Sequence, residues 1–414
     1  MKKISLFSGI CCLLYPLFVS AVELSDQVTV NGFGTLGATK TTNDTLGLRP
    51  NISDDNVTFE QWNLASRSLA GVQMNVAWGP QWSSAIQLVH QKRVENSLQD
   101  SIQLATVSYL PTPEWAIRIG RHSPRVYMLT DTRNVGYGYL WTHPPMEFYG
   151  QLQTTYIDGL EIGYTRQFDD ADMLRATLCG GKTDMWMAYP GYSFEADFGQ
   201  SVGLTLEFEH QAWTFRGSAS VVNNQNQWVD QLLRQPWNQY NAAGLSGAAS
   251  VADALDTEAT LMAFYSLGIA YNDQNWIIQS ELSRLNAESK IVPDTVAGYL
   301  SIGRHINEFT PYIMYSRIHT SSSDYSLPAD VSYYAQYSNQ LNYLANTSLL
   351  FLNSRFDQEG VAAGVRWDIN SHLALKTQWD RKFISAGGNH LWWNTGGTDS
   401  SVEDIFTINL DFVF

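Results

Sequence analysis

The chain ends in "VEDIFTINLDFVF", Val402 to Phe414. Phe406, Ile408, Leu410, Phe412 and Phe414 share one face of an extended backbone; Thr407, Asn409 and Asp411 share the other. Successive side chains of a strand point to opposite sides, so this alternation predicts a β-strand with one apolar and one polar face. A soluble sandwich strand alternates in the same way, but an aromatic residue at the last position is less expected of it.

The opposite end reads "MKKISLFSGICCLLYPLFVSAVE". Lys2 and Lys3, an apolar run, and small residues at Val19-Ser20-Ala21 predict a cleaved secretory signal peptide over 1–21. The run is shorter than the ~20 apolar residues of a spanning helix. Cys11 and Cys12 would leave with it, so Cys179 remains alone and no internal disulfide is expected. The net charge of −15 becomes −17 when Lys2 and Lys3 are removed, which argues against nucleic acid as a partner.

Between the ends, alternating segments recur at 27–39, 63–77, 82–92, 101–110, 114–122, 158–168, 171–180, 201–209, 212–222, 259–271, 275–287, 295–306, 309–320, 359–370, 372–384 and 403–414. Sixteen such strands form an even set, as bacterial barrels require. The connections alternate in length. Short ones read "WGPQ", "PTP", "DD", "HQA", "NDQ", "INE" and "NS"; long ones are expected near 123–157, 181–200, 223–258, 321–357 and 385–402, with shorter members near 93–100 and 288–294. A sandwich or propeller does not sort its connections by parity, whereas a transmembrane barrel has short turns on one rim and long loops on the other. The faces agree: Val202, Leu204, Leu206 and Phe208 oppose Gly203, Thr205, Glu207 and Glu209. A charged face repeated from strand to strand predicts a wet lumen, since charges in a packed core would all need partners. Trp78, Trp82, Trp115, Phe168, Trp213, Trp276 and Phe309 sit beside the short turns, as an interfacial aromatic girdle would. The expected fold is therefore a single all-β domain over 22–414, an antiparallel transmembrane barrel of about sixteen strands.

One segment breaks the rhythm. "DTRNVGYGYLWTHPPMEFYG", Asp131 to Gly150, lies in the third long loop, about 123–157, and has no steady period. On topology, the chain resembles the sixteen-stranded porins of Gram-negative outer membranes, and this segment resembles a third-loop motif of poorly characterised proteobacterial porin-like proteins. The C-terminal strand resembles the one whose final aromatic residue, here Phe414, belongs to the signal read by the barrel-insertion machinery. The resemblance implies an outer-membrane location among lipid and lipopolysaccharide, a homotrimer, a third loop folded into the lumen, and passive diffusion of small hydrophilic solutes. It also implies basic wall residues facing acids of the constriction loop. Arg93 and Arg118 would be the wall partners, Asp131 and Glu147 the loop partners. Arg121, Arg125 and Arg133 depart from a purely acidic loop, which leaves a mixed or mildly anion-preferring eyelet open. Tyr137, Tyr139 and Trp141 complete the expected constriction set.

Other chemistry is not expected. His143 and Glu147 have metal-ligand spacing for a helix, but Pro144 and Pro145 lie between them. No local signature selects a catalytic residue or a cofactor. The acidic external loops suggest a solvated face or divalent bridging to lipopolysaccharide. The competing functions are a solute-specific channel, for sugars or anions, and a barrel used as an adhesin or structural anchor.

Overall fold

A computed structural model describes residues 22–94, 97–151, 154–189, 192–225, 227–258, 260–322, 324–394 and 399–414; the expected signal peptide lies outside the described residues. The barrel strands are β1 (Val28–Thr41), β2 (Leu69–Ala77), β3 (Trp82–Gln91), β4 (Ile102–Tyr109), β5 (Trp115–His122), β6 (Ile157–Gln167), β7 (Asp172–Tyr189) and β8 (Tyr192–His210). They continue with β9 (Trp213–Asn224), β10 (Thr260–Asn272), β11 (Trp276–Ala287), β12 (Asp294–Arg304), β13 (Phe309–Ser322), β14 (Phe356–Asn370), β15 (Leu373–Asn389) and β16 (Ser401–Val413). Each pairs antiparallel with its sequence neighbour, and β16 pairs with β1 from Ile405↔Thr41 to Val413↔Phe33, so the sixteen strands close. Closure pairs the strand edges round the wall, as lipid demands, while the β7–β8 hairpin runs on beyond its neighbours. A short segment, Val22–Ser25, pairs with the start of β1.

The period-two pattern sets the faces. On β16, Phe406 and Ile408 point outward and are exposed, while Thr407, Asn409 and Asp411 are buried inside. On β8, Val202, Leu204, Leu206 and Phe208 are likewise outward and exposed. At the short-turn rim, rings pair across neighbouring strands: Trp82 with Tyr109 at 4.6 Å, Trp115 with Tyr164 at 4.9 Å, Trp213 with Tyr271 at 4.6 Å. The turns are tight. Asn307 adopts φ 53°, a left-handed conformation that asparagine tolerates better than most residues.

The loops, numbered L1 to L8 in chain order, depart from the sequence expectation where strands run on beyond the barrel wall. L4 was expected to be long, 181–200, but β7 and β8 continue as a hairpin to Tyr189 and Tyr192. Alternation in that stretch is masked by small and acidic residues such as Gly180-Gly181 and Asp197, so it reads as loop. β14 and β15 also run further than expected, from Phe356 and to Asn389. L5 carries a helical segment over Gln227–Arg234, followed by α1 (Gln235–Ala242) and α2 (Gly247–Ala254). L7 folds into α3 (Ala329–Ala335) and α4 (Asn339–Leu352). L5 and L7 lock together: Trp237 is fully buried and its Nε1 donates to Ser348 Oγ at 2.9 Å, and Gly247 N donates to Asp330 Oδ2 at 2.8 Å. Trp228 stacks on Phe194 of β8 at 3.9 Å, which joins this helical cap to the barrel.

Candidate functional site

The third loop leaves β5 at Ser123-Pro124 and rejoins at β6. It folds inward and lies along the lumen wall, touching consecutive strands as it goes. Arg125 O accepts from Thr205 Oγ1 of β8 at 2.6 Å, and Val126 O accepts from Ser218 of β9 at 3.0 Å and Ser266 of β10 at 2.7 Å. Met128 N donates to Glu281 of β11 at 2.9 Å, and Trp141 Nε1 to Ser301 of β12 at 2.7 Å. Tyr127, Phe148 and Tyr149 stack with Phe264 and Tyr299 in edge and tilted geometries at 5.0–6.0 Å. The aromatic content of the loop thus serves adhesion to the wall.

Two buried cations on β15 hold the loop. Lys376 Nζ donates to the carbonyls of Gly136 (2.6 Å), Tyr139 (2.6 Å) and Trp141 (3.0 Å) and lies 3.0 Å from Asp411. The Asp411 contact is an ion pair without hydrogen-bond alignment. Lys382 Nζ is 3.0 Å from Glu147 and 3.5 Å from Asp380, with all three side chains fully buried. Ser316 and Gln358 also donate to Glu147, at 2.8 and 2.7 Å. Gly136 is required by close approach: a Cβ there would collide with Asp411 and Thr35.

The loop covers the wall from β8 round to β16, and the space it leaves lies on the other side, against L1, β3, the L2 region and β7. A cavity of about 250 Å³ lies there. Its walls include Arg67, Lys92, Arg93, Arg133, Tyr139, Asp54, Asp100 and Asp184. L1 is placed by Arg49, whose buried guanidinium donates to Ala188 O (2.6 Å) and His390 O (2.7 Å). The turn before Arg67 is pinned to β1 by reciprocal Thr39–Asn63 backbone bonds of 3.0 and 2.8 Å.

The predicted constriction residues separate into groups. Arg93, Arg133 and Tyr139 line the cavity. Arg118 stands on the lumen wall but pairs with Glu161 at 2.6 Å, and Arg125 bridges Glu161 (3.0 Å) and Asp131 (2.8 Å). These four form one ladder tying loop to wall, so Asp131 faces Arg125 and not Arg93 or Arg118. Tyr137 reaches the level of the short β14–β15 turn, where its hydroxyl donates to Asn370 O at 3.2 Å and Arg366 covers its ring at 4.7 Å. Three expectations need correction. Trp141 and Glu147 are sealed in the loop–wall contact and do not line the cavity. Arg121 shares the parity of Ile119, pairs with Asp158 at 2.7 Å with Tyr156 under its guanidinium at 3.6 Å, and does not line the cavity. The sequence reading missed Arg67, Lys92, Lys376, Lys382 and Glu161. The inward parity of Lys376, Lys382 and Glu161 was legible, but their partners were not.

Burial shifts the loop groups Asp54 and Arg133 beside the cavity. It pushes Asp54 up to about 6, against the lowering effects of the Asn56 backbone N–H and of Arg67 and Lys92. It pushes the Arg133 guanidinium down to about 10, offset in part by Tyr127 and Asp131.

No protein-family model matches the chain, and no curated protein matches it by sequence. Solved structures do resemble it. OmpF of Salmonella typhi, in complex with daunomycin, superposes with a TM-score of 0.56 at 12% identity over 95% of this chain and 100% of its own. The anion-selective porin from Comamonas acidovorans gives 0.53 at 11% over 94% and 99%. The outer-membrane channel DcaP of Acinetobacter baumannii gives 0.51 at 10% over 96% and 100%. With a closed ring of sixteen antiparallel strands and an inward third loop, the chain has the barrel fold of the outer-membrane porins.

Proposed function

We propose that the protein is an outer-membrane channel that passes small hydrophilic solutes and ions by passive diffusion, without catalysis. The observation that carries this reading is the third loop, fixed along one side of the lumen, with a cavity walled in part by charged residues left on the other. A loop anchored by buried ion pairs narrows the passage without closing it, and the low-dielectric walls strengthen the field of the charges along it. The outward apolar faces and the paired rings of the short-turn rim suit an outer-membrane bilayer reached by export and insertion from the last strand. Phe414 exchanges backbone bonds of 2.9 and 2.8 Å with Gly32, which ties the end of β16 to β1. The acidic external loops suit divalent bridging to lipopolysaccharide.

A homotrimer is the proposed assembly. β4 and β5 have only 8 residues each, while β7 and β8 have 18 and 19. A spanning strand needs about 9–11 residues, so the low wall is better matched to a neighbouring subunit than to lipid.

The test is a planar-bilayer recording of the refolded protein in symmetric and asymmetric chloride. Discrete conductance steps with ohmic current support a channel. An absence of steps from correctly folded protein overturns it and favours the adhesin or anchor reading.

A further inference from the structure

The described chain is strongly acidic overall, yet the cavity beside the third loop carries cations that its acids do not match. Arg67 comes from L1, Lys92 from the end of β3, and Arg133 from the third loop, and all three line the same space. Among the described residues, no acid lies within 4.0 Å ion-pair distance of any of them. Lys92 Nζ donates only to Asn56 Oδ1, at 3.2 Å. Arg133 donates to the carbonyls of Thr154, at 3.1 Å, and Thr155. Arg67 is the least satisfied: its Nε and Nη2 are closed off from solvent and have no hydrogen-bond partner. A buried donor left unpaired costs about 1–3 kcal/mol, and more when charged, so a fold that keeps such a group in a cavity retains a site that an acceptor would stabilise.

The acids around the cavity have other hydrogen-bond partners. Asp100 accepts from the Ser97 hydroxyl, and Asp184 accepts from Tyr156 at 2.7 Å. Asp54 accepts from Asn56 N at 2.7 Å. The guanidinium fork presents N–H donors in one plane, which matches a carboxylate or phosphate two oxygens at a time. Arg67 is also held in place before any ligand arrives, because Ser68 Oγ accepts from Gly37 N at 3.0 Å and Asn63 closes a local turn through Ala65 N at 2.9 Å.

We propose that Arg67, with Arg133 and Lys92, forms a saturable binding site for a small oxyanion with at least two acceptor oxygens, of the phosphate or dicarboxylate class. The inference rests on the channel reading for its role in transport: it makes the passage solute-selective where the general reading makes it a sieve. The site differs from the charge ladder on the wall. Arg118 and Arg125 have their charge matched by Glu161 and Asp131, whereas Arg67 Nε and Nη2 have no hydrogen-bond partner among the described residues.

The test uses the full refolded barrel and two probes, inorganic phosphate and succinate, each titrated at millimolar levels near neutral pH. Chloride current through single channels gives one readout; calorimetric titration of phosphate and of succinate into the folded barrel in detergent gives a second that needs no conductance. The expected result is saturable block with at least one probe, with half-saturation weakened about tenfold or more in Arg67→Gln, as loss of a charge-assisted bidentate contact implies. Folding of each variant is checked by heat-dependent gel migration. Should Arg67→Gln not fold, Lys92→Gln, a change on a partly exposed side chain, carries the same comparison. Saturation that is identical in parent and variant places the anion elsewhere and overturns the proposal. Absence of saturation with both probes in both readouts also overturns it. Calorimetric binding that Arg67→Gln abolishes, from a barrel that gives no chloride current, upholds the site while the channel reading fails.

Discussion

Replacing Lys376 by methionine should loosen the third loop without dismantling the barrel. The side chain is fully buried, and its ammonium serves three loop carbonyls, at 2.6, 2.6 and 3.0 Å, together with Asp411 at 3.0 Å. At an effective dielectric constant near 20, the attraction to Asp411 alone is about 5 kcal/mol before desolvation is subtracted. Methionine keeps the length and removes the charge. Asp411 then stays buried with Thr35 Oγ1 as its remaining close donor, and the Gly136, Tyr139 and Trp141 carbonyls lose their cation. Breaking one side of a buried pair typically costs about 3–5 kcal/mol. That is roughly two to four powers of ten in the equilibrium for loop detachment. The barrel ladder is untouched, and other anchors persist: Arg366 to the Tyr137 and Tyr139 carbonyls at 2.7 and 3.0 Å, and Glu147 to Lys382 at 3.0 Å. The effect should therefore appear as open-channel current noise and faster proteolysis within 131–145, with the heat-dependent gel shift of the barrel retained. Lys376→Met combined with Asp411→Leu should recover part of the loss, because no lone carboxylate remains. A Lys376→Met channel as quiet and as protease-resistant as the parent would refute the claim that this cluster docks the loop.

Arg133→Ala removes a cavity cation and should shift the reversal potential in asymmetric chloride toward cation preference; an unchanged potential with a noisier channel would assign Arg133 to holding Thr154 and Thr155 alone. Asp54, raised from 3.8 to about 6, is ionised above that value, so lowering the pH from neutral to 5 removes a negative charge facing Arg67, Lys92 and Asp55 and should raise anion preference. Asp54→Asn should make the selectivity of the channel flat across that window, and a persistent pH response would place the titrating group elsewhere. Phe414→Ala should leave the ladder of β16 intact but slow assembly, since the ring fills the space over Gly32; refolding half-times equal to the parent's would remove Phe414 from the insertion step.

The barrel was legible because its signal is local and repeated. Alternation in β9, Trp213 to Val221, or in β16 follows from a backbone that sends successive side chains to opposite faces, whatever the neighbours are. Length parity of the connections added strand direction, and so placed Asp131–Gly150 in the third loop. The local signal failed where composition hid it, as in β7 and β8 above the bilayer level, where both faces meet water or loops and alternation is no longer enforced.

By itself, then, the sequence determined the strands, their faces and the ordinal place of the third loop, because each depends on side-chain periodicity along one stretch of chain. Which charges face the passage was decided only by tertiary structure. Glu147 reads as an eyelet acid until Lys382, 235 positions away, neutralises it in the wall. Arg121 reads as a pore cation until strand register sets it beside Asp158. Arg67 carries no local mark at all. Its importance comes from L1, β3 and the third loop converging on one cavity where its guanidinium has no acid at ion-pair distance among the described residues, and long-range pairing of charges of this kind has no period for a sequence to display.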